Sequence, residues 1–358
     1  MSDPLDVEDL RVRVQQALDD HLVHQEGRLA ELGPRVSPLL DAIRSLLSGG
    51  KRLRAAFCYW GWRGAGGEPS DAAVRACGAV EMFQAAAQLH DDVMDASDTR
   101  RGLPTAHRRM ADLHRDRRWA GSADRFGTAA AVLAGDLCLA WSDEMLACSG
   151  VPRPQVDAGR DVFDLMRTQL MGGQYLDVLA QALPEAEGGG TTEQARHVIR
   201  FKSAKYTVEH PLLLGGTLAG ADPELLEAYS AYGLPLGEAF QLRDDVLGVF
   251  GDPTVTGKPA GDDLREGKRT VLVAEAFAAA TPQQDRVLRD LFADPQLDDD
   301  GVARVQQVLV DTGALRAVEA RIDELAVAAR AALDASSAAE AARPVLEQLV
   351  DASTVRRT

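Results

Sequence analysis

The sequence predicts an all-α protein that forms one large domain over residues 1–358. Apolar residues recur at spacings of three and four in most segments, as in Leu225, Tyr229 and Tyr232, and this is the period of an amphipathic helix. Runs of β-branched residues are scarce, and strict alternation of apolar and polar residues over six positions is hard to find. The chain has no internal repeat of fixed period and no long linker, which favours one domain over two.

Several helix starts and loops are legible in the sequence. Two segments begin like helices, because a capping residue precedes an acid or a proline: Thr191-Thr192-Glu193 and Asp222-Pro223-Glu224. Loops are predicted at 64–70, 184–190 and 294–301, where Gly, Pro or Asp residues cluster.

Charge and composition exclude several classes of protein. Asp and Glu number 55 against 39 Lys and Arg, and the net charge of −16 argues against nucleic-acid binding. The first residues lack the basic and then apolar pattern of a signal peptide, and no run reaches the ~18 uncharged apolar residues of a membrane span. The cysteines show no C-x-x-C pairing, so all of them are predicted to be buried thiols of a cytoplasmic protein: Cys58, Cys77, Cys138 and Cys148.

The segment HDDVMD, at residues 90–95, carries three aspartates. Asp91 and Asp95 lie four positions apart, which places them about 40° apart on one face of a helix. Crowded carboxylates repel one another unless a cation lies among them, and ligation by oxygen alone favours Mg²⁺ or Mn²⁺. Taken alone, such a cluster is also compatible with a solvated acidic face.

A second acid pair, Asp244 and Asp245, lies in the apolar helical run FQLRDDVLGVFGD at residues 240–252. Two acid pairs about 150 residues apart can face each other across a helical cavity. We therefore expect them to hold several Mg²⁺ ions around a polyphosphate.

Basic residues gather beside both acid pairs. In GGKRLR, residues 49–54, the two glycines allow the backbone to approach an anion, and Lys51 and Arg54 are predicted to lie on one side of a helical turn. The positive end of the helix dipole disfavours cations there, and a bound diphosphate would offset that repulsion. Further basic residues in these segments are Arg100, Arg101, Lys202, Lys205, Lys258 and Lys268.

Together these segments resemble the trans-isoprenyl diphosphate synthases of the polyprenyl synthetase family. GGKRLR, HDDVMDASDTRRGLPT and FQLRDDVLGVFGDPTVTGKPAGDDLREGKRT occur in the family's order between residues 49 and 270. The resemblance implies a single domain of antiparallel helices around a deep central cavity, and a homodimer. It also implies head-to-tail condensation of isopentenyl diphosphate with an allylic diphosphate, with about three Mg²⁺ ions per site and Mn²⁺ able to replace them.

The resemblance implies a role for each matching position. The metal ions on the allylic diphosphate would be held by Asp91, Asp92, Asp95, Asp244 and Asp245. That diphosphate would be clamped by Arg100, Lys202 and Lys258, and isopentenyl diphosphate by Lys51, Arg54 and Arg101. Tyr206 would lie near the reacting carbons, and the remaining substrate-binding positions are Gln84, Gln174, Asp177, Ser203, Gln241 and Lys268.

Two positions depart from the family pattern. Gln84 lies seven residues before the first motif, where the family usually has His, and it can donate a hydrogen bond to phosphate but carries no charge. Gly248 ends the second motif, where the family usually has a third acid. Asp245 or water would then fill the missing ligation.

The residues before the first motif predict the product. The resemblance implies that bulky aromatic residues four or five positions before the motif would close the bottom of the cavity, the floor, and stop elongation of the prenyl chain at fifteen carbons. In this sequence those positions are Ala87 and Ala86. The next large side chain is Phe83, about 12 Å below Asp91 along a helix. A twenty-carbon geranylgeranyl product is therefore predicted, with fifteen or twenty-five carbons as alternatives. Phe83 would not be the floor if it only packed against a neighbouring helix.

Two other functions share some of these features. A class I terpene cyclase is also an all-α, Mg²⁺-dependent enzyme with a DDxxD motif, but its second motif is normally an Asn/Ser/Glu triad and it lacks a second-substrate site. A regulatory subunit of a heteromeric prenyltransferase typically loses the aspartate motifs, and here both are present.

Overall fold

The structure is a computed structural model, and it describes residues 6–183, 190–252 and 261–354. The chain divides into two compact units, Met1–Gly159 with Gly215–Gly220, and Arg160–Leu214 with Ala221–Thr358. Nearly all regular structure in the described residues is helical, so the prediction of an all-α protein is confirmed. The single domain and its deep cavity remain predictions.

The first unit is organised around one long helix, α4. Its helices are α1 (Leu10–Leu29), α2 (Ser37–Leu47), α3 (Leu53–Gly64), α4 (Asp71–Met94), α5 (Ala106–Asp116) and α6 (Ala123–Ala147), with 3₁₀ turns at Val7–Asp9, Ala30–Leu32 and Pro34–Val36. An antiparallel hairpin of β1 (Thr99–Arg100) and β2 (Leu103–Pro104) connects α4 to α5. Helix α4 packs against α1, α3 and α6, and the large side chains buried in this unit include Phe57, Tyr59, Trp60 and Phe83.

The second unit is organised around helix α10. Two helices contribute residues to both units, α7 (Arg153–Ala182) and α9 (His210–Ala219). The others are α8 (Thr192–Val198), a π-helix (Ile199–Glu209), α10 (Pro223–Phe250), α11 (Asp262–Arg265), α12 (Val271–Ala279), α13 (Pro282–Leu291), α14 (Asp299–Asp311), α15 (Ala314–Ala335) and α16 (Arg343–Thr354). Helix α10 packs against the π-helix and α15, and its core includes Leu242, Val246, Val249, Leu264 and Leu272.

Capping explains where several helices begin. The Asp222 carboxylate accepts from the Leu225 N–H at 2.8 Å, and the Thr191 hydroxyl accepts from the Gln194 N–H at 3.2 Å, so both predicted helix starts are confirmed. The loop predicted at 294–301 is too long, because Asp298 caps a helix that begins at Asp299. The predicted loop at 64–70 is confirmed, and the one at 184–190 lies outside the described residues except for its last position.

The cysteines are unpaired, and three of them are buried as predicted: Cys58, Cys77 and Cys138. Cys148 is exposed, so its prediction as a core thiol is wrong. Cys148 follows the last residue of α6, so it does not lie on the buried face of that helix. Within the described ranges, no helix combines the length and the apolar character that a membrane crossing needs.

Candidate active site

The first aspartate motif lies at the carboxyl end of helix α4. Asp91 and Asp92 belong to its last turn, and Asp95 follows directly, with its N–H donating to the Asp91 carbonyl at 2.8 Å. The Asp92 side chain is buried and that of Asp91 is partly exposed. Because the negative end of a helix dipole repels acids, a cation bound beside this turn would be favourable.

Arg100 is paired with this motif. Its Nε donates to Asp92 Oδ1 at 2.7 Å, and its Nη2 lies 2.6 Å from the same oxygen and 3.7 Å from Asp91 Oδ2. Burial raises the pKa of Asp92, and the Arg100 guanidinium opposes that rise. The residue predicted to clamp the allylic diphosphate therefore lies directly beside the predicted metal ligands.

Arg101 lies in the hairpin turn and contacts the GGKRLR segment. A Cβ added to Gly49 or Gly50 would lie 3.1 Å from a guanidinium nitrogen of Arg101, so these glycines make room for the arginine. Burial lowers the pKa of Arg101, and three neighbouring guanidinium groups lower it further: Arg100, Arg52 and Arg54. Cations gathered in this way repel one another, and a bound polyanion would relieve that repulsion.

Lys51 and Arg54 do not share a helical turn, so that prediction is wrong. Helix α3 begins only at Leu53, because Arg52 takes a left-handed conformation with φ of 56°. Lys51 therefore precedes the helix and Arg54 lies in its first turn.

Sequence reasoning missed the roles of Arg52 and Glu81. Arg52 is 6% exposed, its Nη1 lies 3.4 Å from Glu81 Oε2, and its Nη2 donates to the Leu47 carbonyl. Glu81 Oε1 accepts from the Ala55 N–H at 3.0 Å. This buried pair ties the basic segment to α4, the helix of the first motif. The sequence feature that could have indicated this pair is Glu81, a single acid inside the apolar run of α4.

The residues predicted to set product length lie on two sides of α4. Gln84 and Ala87 are half-buried, like Asp91, and spacings of three and four place these three on one strip of the helix. Phe83 and Ala86 are each 2% exposed and belong to the buried side. Ala87 is therefore the more accessible of the two alanines.

The second acid pair lies in the last two turns of α10, which ends at Phe250. Asp244 is exposed, whereas Asp245 is buried and accepts from Gln241 Nε2 at 2.8 Å. Burial raises the pKa of Asp245 well above its ordinary value, and the hydrogen bond from Gln241 opposes the rise. As in α4, acids stand at the end of a helix where a cation is favourable.

The π-helix carries Lys202, Ser203 and Tyr206, three of the predicted site residues. Lys202 Nζ donates to Asp177 Oδ2 at 2.6 Å, so the structure brings these two predicted residues together. Gly173, one turn before Asp177, permits this approach, because a Cβ there would lie 2.5 Å from Lys202 N. Helices with π geometry are rare and occur frequently at functional sites. Tyr206 is buried, and Gln174 on α7 is half-buried.

Lys268 lies between two acids, with its Nζ 3.1 Å from Asp263 Oδ1 and 2.8 Å from Glu266 Oε2. These acids raise the pKa of Lys268 well above its ordinary value, against the opposing effect of burial. Asp263 has no predicted role of its own, although it lies in the same motif segment as Lys268. Lys258, predicted to clamp the allylic diphosphate, lies outside the described residues.

The donor chemistry of both motifs fits a hard divalent cation. Their charged side chains offer carboxylate oxygens, which Mg²⁺ prefers. Within the part of the chain that the structure describes, no three His, Cys, Asp or Glu residues are gathered closely enough to hold a metal ion by themselves. Phosphate and water oxygens would complete the coordination, as is usual for Mg²⁺ in phosphate-binding sites.

Comparison with known proteins gives the same family as the motifs. The Polyprenyl synthetase family matches residues 36–309. The chain is 32% identical over 284 residues to a geranylfarnesyl diphosphate synthase of Aeropyrum pernix, covering 78% of this chain and 81% of that protein. It is 33% identical over 260 residues to a geranylgeranyl diphosphate synthase of Methanosarcina mazei, covering 71% of this chain and 72% of that protein.

A solved structure agrees with these relatives. The geranylgeranyl pyrophosphate synthase of Corynebacterium glutamicum, complexed with isoprenyl diphosphate and magnesium, is 39% identical and superposes with a TM-score of 0.91, covering 96% of this chain and 98% of its own. A family match over most of the chain, together with relatives of this identity and coverage, settles its membership. The chain belongs to the polyprenyl synthetase family.

Proposed function

We propose that this chain condenses isopentenyl diphosphate head to tail with an allylic diphosphate, releases diphosphate, and makes geranylgeranyl diphosphate as its main product. Its family makes the chain a prenyltransferase that elongates prenyl diphosphates. The observation that carries the proposal is a group of arginines around Arg101. This group lies beside the acids at the carboxyl end of α4. Such a juxtaposition suits a metal-bound polyphosphate.

The residues of the chain would divide the work between two diphosphates. Lys51, Arg54 and Arg101 would bind isopentenyl diphosphate, and Gln84 would donate a hydrogen bond to it. Arg100 and Lys202, now paired with Asp92 and Asp177, would exchange those carboxylates for oxygens of the allylic diphosphate. Holding two reactants in a fixed orientation accelerates their reaction by proximity.

The acids would place the cations on the leaving diphosphate. Asp91, Asp92 and Asp95 would hold Mg²⁺ from one side of the allylic diphosphate, and Asp244 and Asp245 would hold a further ion. Bound there, the ions supply Lewis acidity that stabilises the diphosphate charge. The double bond of isopentenyl diphosphate then attacks the allylic carbon as the C–O bond breaks, and the new C–C unit loses a proton to the departing diphosphate. Water must be excluded, because it would quench the allylic cation.

The test is a product assay of the purified chain. It is supplied with isopentenyl diphosphate and, separately, with each allylic primer of five, ten and fifteen carbons, and the products are separated by chromatography. A twenty-carbon prenyl diphosphate supports the proposal. A cyclic hydrocarbon formed without isopentenyl diphosphate would indicate a terpene cyclase, and no product from the chain alone would indicate a regulatory subunit.

A twenty-five-carbon product is the second candidate. The similarity to a geranylfarnesyl diphosphate synthase favours it, whereas the similarity to geranylgeranyl diphosphate synthases favours twenty carbons. The same chromatogram distinguishes them.

The proposal also includes the oligomeric state of the protein, its cellular compartment and the number of metal ions that it binds. A homodimer fits the exposed apolar side chains of Val132 and Leu133 on α6, which are 38% and 57% exposed. Unpaired thiols fit a reducing compartment such as the cytoplasm. We expect about three Mg²⁺ ions per site, replaceable by Mn²⁺, because both carboxylate motifs would bind the same polyphosphate.

Separate variants should distinguish the two diphosphate sites. Lys51→Ala and Arg54→Ala are expected to raise KM for isopentenyl diphosphate roughly tenfold or more, because each removes a charge-assisted hydrogen bond to phosphate. Lys202→Ala is expected to act mainly on KM for the allylic substrate. Steady-state kinetics with each substrate varied in turn measures both constants.

The matched control is Arg35→Ala, which removes an exposed arginine that precedes α2, and both constants should stay within twofold of wild type. If Lys51→Ala changed only KM for the allylic substrate, the assignment of the two sites would be reversed.

A further inference from the structure

The hairpin that carries Arg100 and Arg101 is too short to hold its own shape. Its strands pair at two positions, Thr99 with Pro104 and Arg100 with Leu103, and proline has no N–H to donate to the ladder. An isolated two-stranded hairpin is at best marginally stable in water. Contacts outside the strands must therefore fix the positions of both arginines.

The turn of this hairpin has an unfavourable backbone conformation. Arg101 and Gly102 occupy the turn with φ of 53° and 74°, and both values lie in the left-handed region. Glycine adopts that region easily, whereas the Cβ of arginine disfavours it. The surrounding structure therefore has to impose this conformation on Arg101.

The side chain of Thr105 closes the base of the hairpin. Thr105 is 2% exposed, and its hydroxyl donates to the Ser97 carbonyl at 2.8 Å. Its backbone N–H donates to the Asp98 carbonyl at 3.0 Å. Both bonds join the residue that follows β2 to residues that precede β1, so they hold the two ends of the hairpin together.

The hydroxyl of Thr105 does not cap a helix. Thr105 directly precedes α5, where a threonine side chain usually accepts from an N–H of the first turn, but among the described residues of that turn none donates to it. Its single hydrogen is directed at Ser97, so in the contact of Oγ1 with His107 Nδ1 at 3.2 Å the imidazole donates. This buried hydroxyl therefore serves the hairpin instead of the helix that follows it.

Asp92 fixes the arm that precedes β1. The Ser97 N–H donates to the Asp92 carbonyl at 3.0 Å, and Arg100 Nε donates to the Asp92 carboxylate at 2.7 Å. This arm is thus attached to the first aspartate motif, and Thr105 attaches the other arm to it. The tip of the hairpin, which carries Arg101, depends on both arms.

We infer that Thr105 is a positioning residue for the two diphosphate sites, because its hydroxyl holds Arg100 and Arg101 in the orientation that binds substrate. This inference rests on the proposed function, which supplies the roles of both arginines. Thr105 contacts neither diphosphate in this assignment, so it acts only through the arginines. Its effect on a substrate should therefore disappear when the arginine that binds that substrate is removed.

The experiment compares Thr105→Val, which has nearly the same shape but no hydroxyl, with Thr105→Ser, which keeps the hydroxyl. Steady-state kinetics gives KM for each substrate, and calorimetry measures the binding of inorganic diphosphate with Mg²⁺. Thr105→Val is expected to raise both KM values and to weaken diphosphate binding roughly tenfold, the size of loss seen when a residue that orients a binding group is removed. Thr105→Ser should stay within about threefold of wild type, because it can donate to the same carbonyl.

Two further measurements separate positioning from stability. Thr281→Val removes another threonine hydroxyl, which caps α13 by accepting from the Gln284 N–H at 3.4 Å, so it should lower thermal stability while both KM values stay within about twofold. Thr105→Val is also combined with Arg101→Ala. If Thr105 acts through Arg101, adding Thr105→Val to Arg101→Ala should change KM for isopentenyl diphosphate by less than about twofold.

Four results would overturn the inference. They are wild-type binding of both substrates by Thr105→Val, an equal loss in Thr105→Ser, an equal rise of KM in Thr281→Val, and effects of Thr105→Val and Arg101→Ala that multiply in the double variant. If Thr105→Val does not fold, Thr105→Ala takes its place. A chain that folds with neither substitution would also overturn the inference, because the hydroxyl would then be required by the fold and not by the arginines.

Calorimetry separates this inference from the proposed function. A wild-type chain that binds Mg²⁺ and diphosphate but elongates no primer would contradict the proposed function. Weaker diphosphate binding by Thr105→Val, with recovery in Thr105→Ser and no added loss beside Arg101→Ala, would still support the role of Thr105. A chain that elongates prenyl diphosphates with the same KM values with and without this hydroxyl would retain the proposed function and overturn the role of Thr105 alone.

Discussion

Replacing Asp91 or Asp244 with Ala is expected to lower turnover by about a thousandfold or more while leaving the helices intact. The loss should be this large because each acid would hold an ion on the leaving diphosphate, where charge develops as the C–O bond breaks. The fold should survive, because Asp91 is partly exposed and Asp244 is exposed. Removing an acid from a helix end also relieves repulsion by the helix dipole.

The measurement is kcat with saturating substrates and Mg²⁺, alongside circular dichroism of each variant. Glu227→Ala is the matched control, because it removes an exposed acid from the same helix as Asp244, and it should keep kcat within twofold. Excess EDTA should stop the wild-type reaction, and added Mg²⁺ should restore it. Near-normal kcat in either aspartate variant would remove these residues from the metal site.

The sequence predicts the helical fold and the chemistry of its motifs because both depend on local patterns. A period of three to four residues identifies helices wherever one face is buried, and Asp222 could be predicted as a cap from its neighbours alone. The acids of 90–95 and 240–252 were visible for the same reason, since their spacing on a helix fixes which of them share a face.

Contacts between distant residues were not predictable in this way. Arg52 takes a left-handed conformation and is buried against Glu81, 29 positions away. This conformation leaves Lys51 outside the helix in which the spacing placed it. Asp263 fills the space beside Gly248 only because α11 packs on α10. The π-helix Ile199–Glu209 packs closely on α10 only because Gly237 lacks a side chain, since a Cβ there would lie 2.6 Å from Ala204 Cα.

Ala87→Phe is expected to shorten the main product from twenty carbons to fifteen. Ala87 lies one turn before Asp91 on the half-buried strip that also holds Gln84, so an aromatic ring there would project beside the diphosphate end of a growing chain. Chromatography of the products from isopentenyl diphosphate and a ten-carbon primer measures the change. The control is Ala328→Phe at an exposed position of α15, and its product should stay at twenty carbons.

Variants of Phe83 test whether the residue that limits product length lies on α4. Phe83 is two turns below Asp91 and 2% exposed, so Phe83→Ala should lengthen the product if its ring ends the channel, and should only loosen the core if it does not. Phe→Ala at a buried site costs about 3–5 kcal/mol, so Phe83→Leu, which keeps more of the volume, separates lost stability from altered length. If Ala87→Phe shortens the product while both Phe83 variants leave it at twenty carbons, the channel passes Ala87 but ends on a helix other than α4. An unchanged product in all three variants would mean that the growing chain does not follow α4.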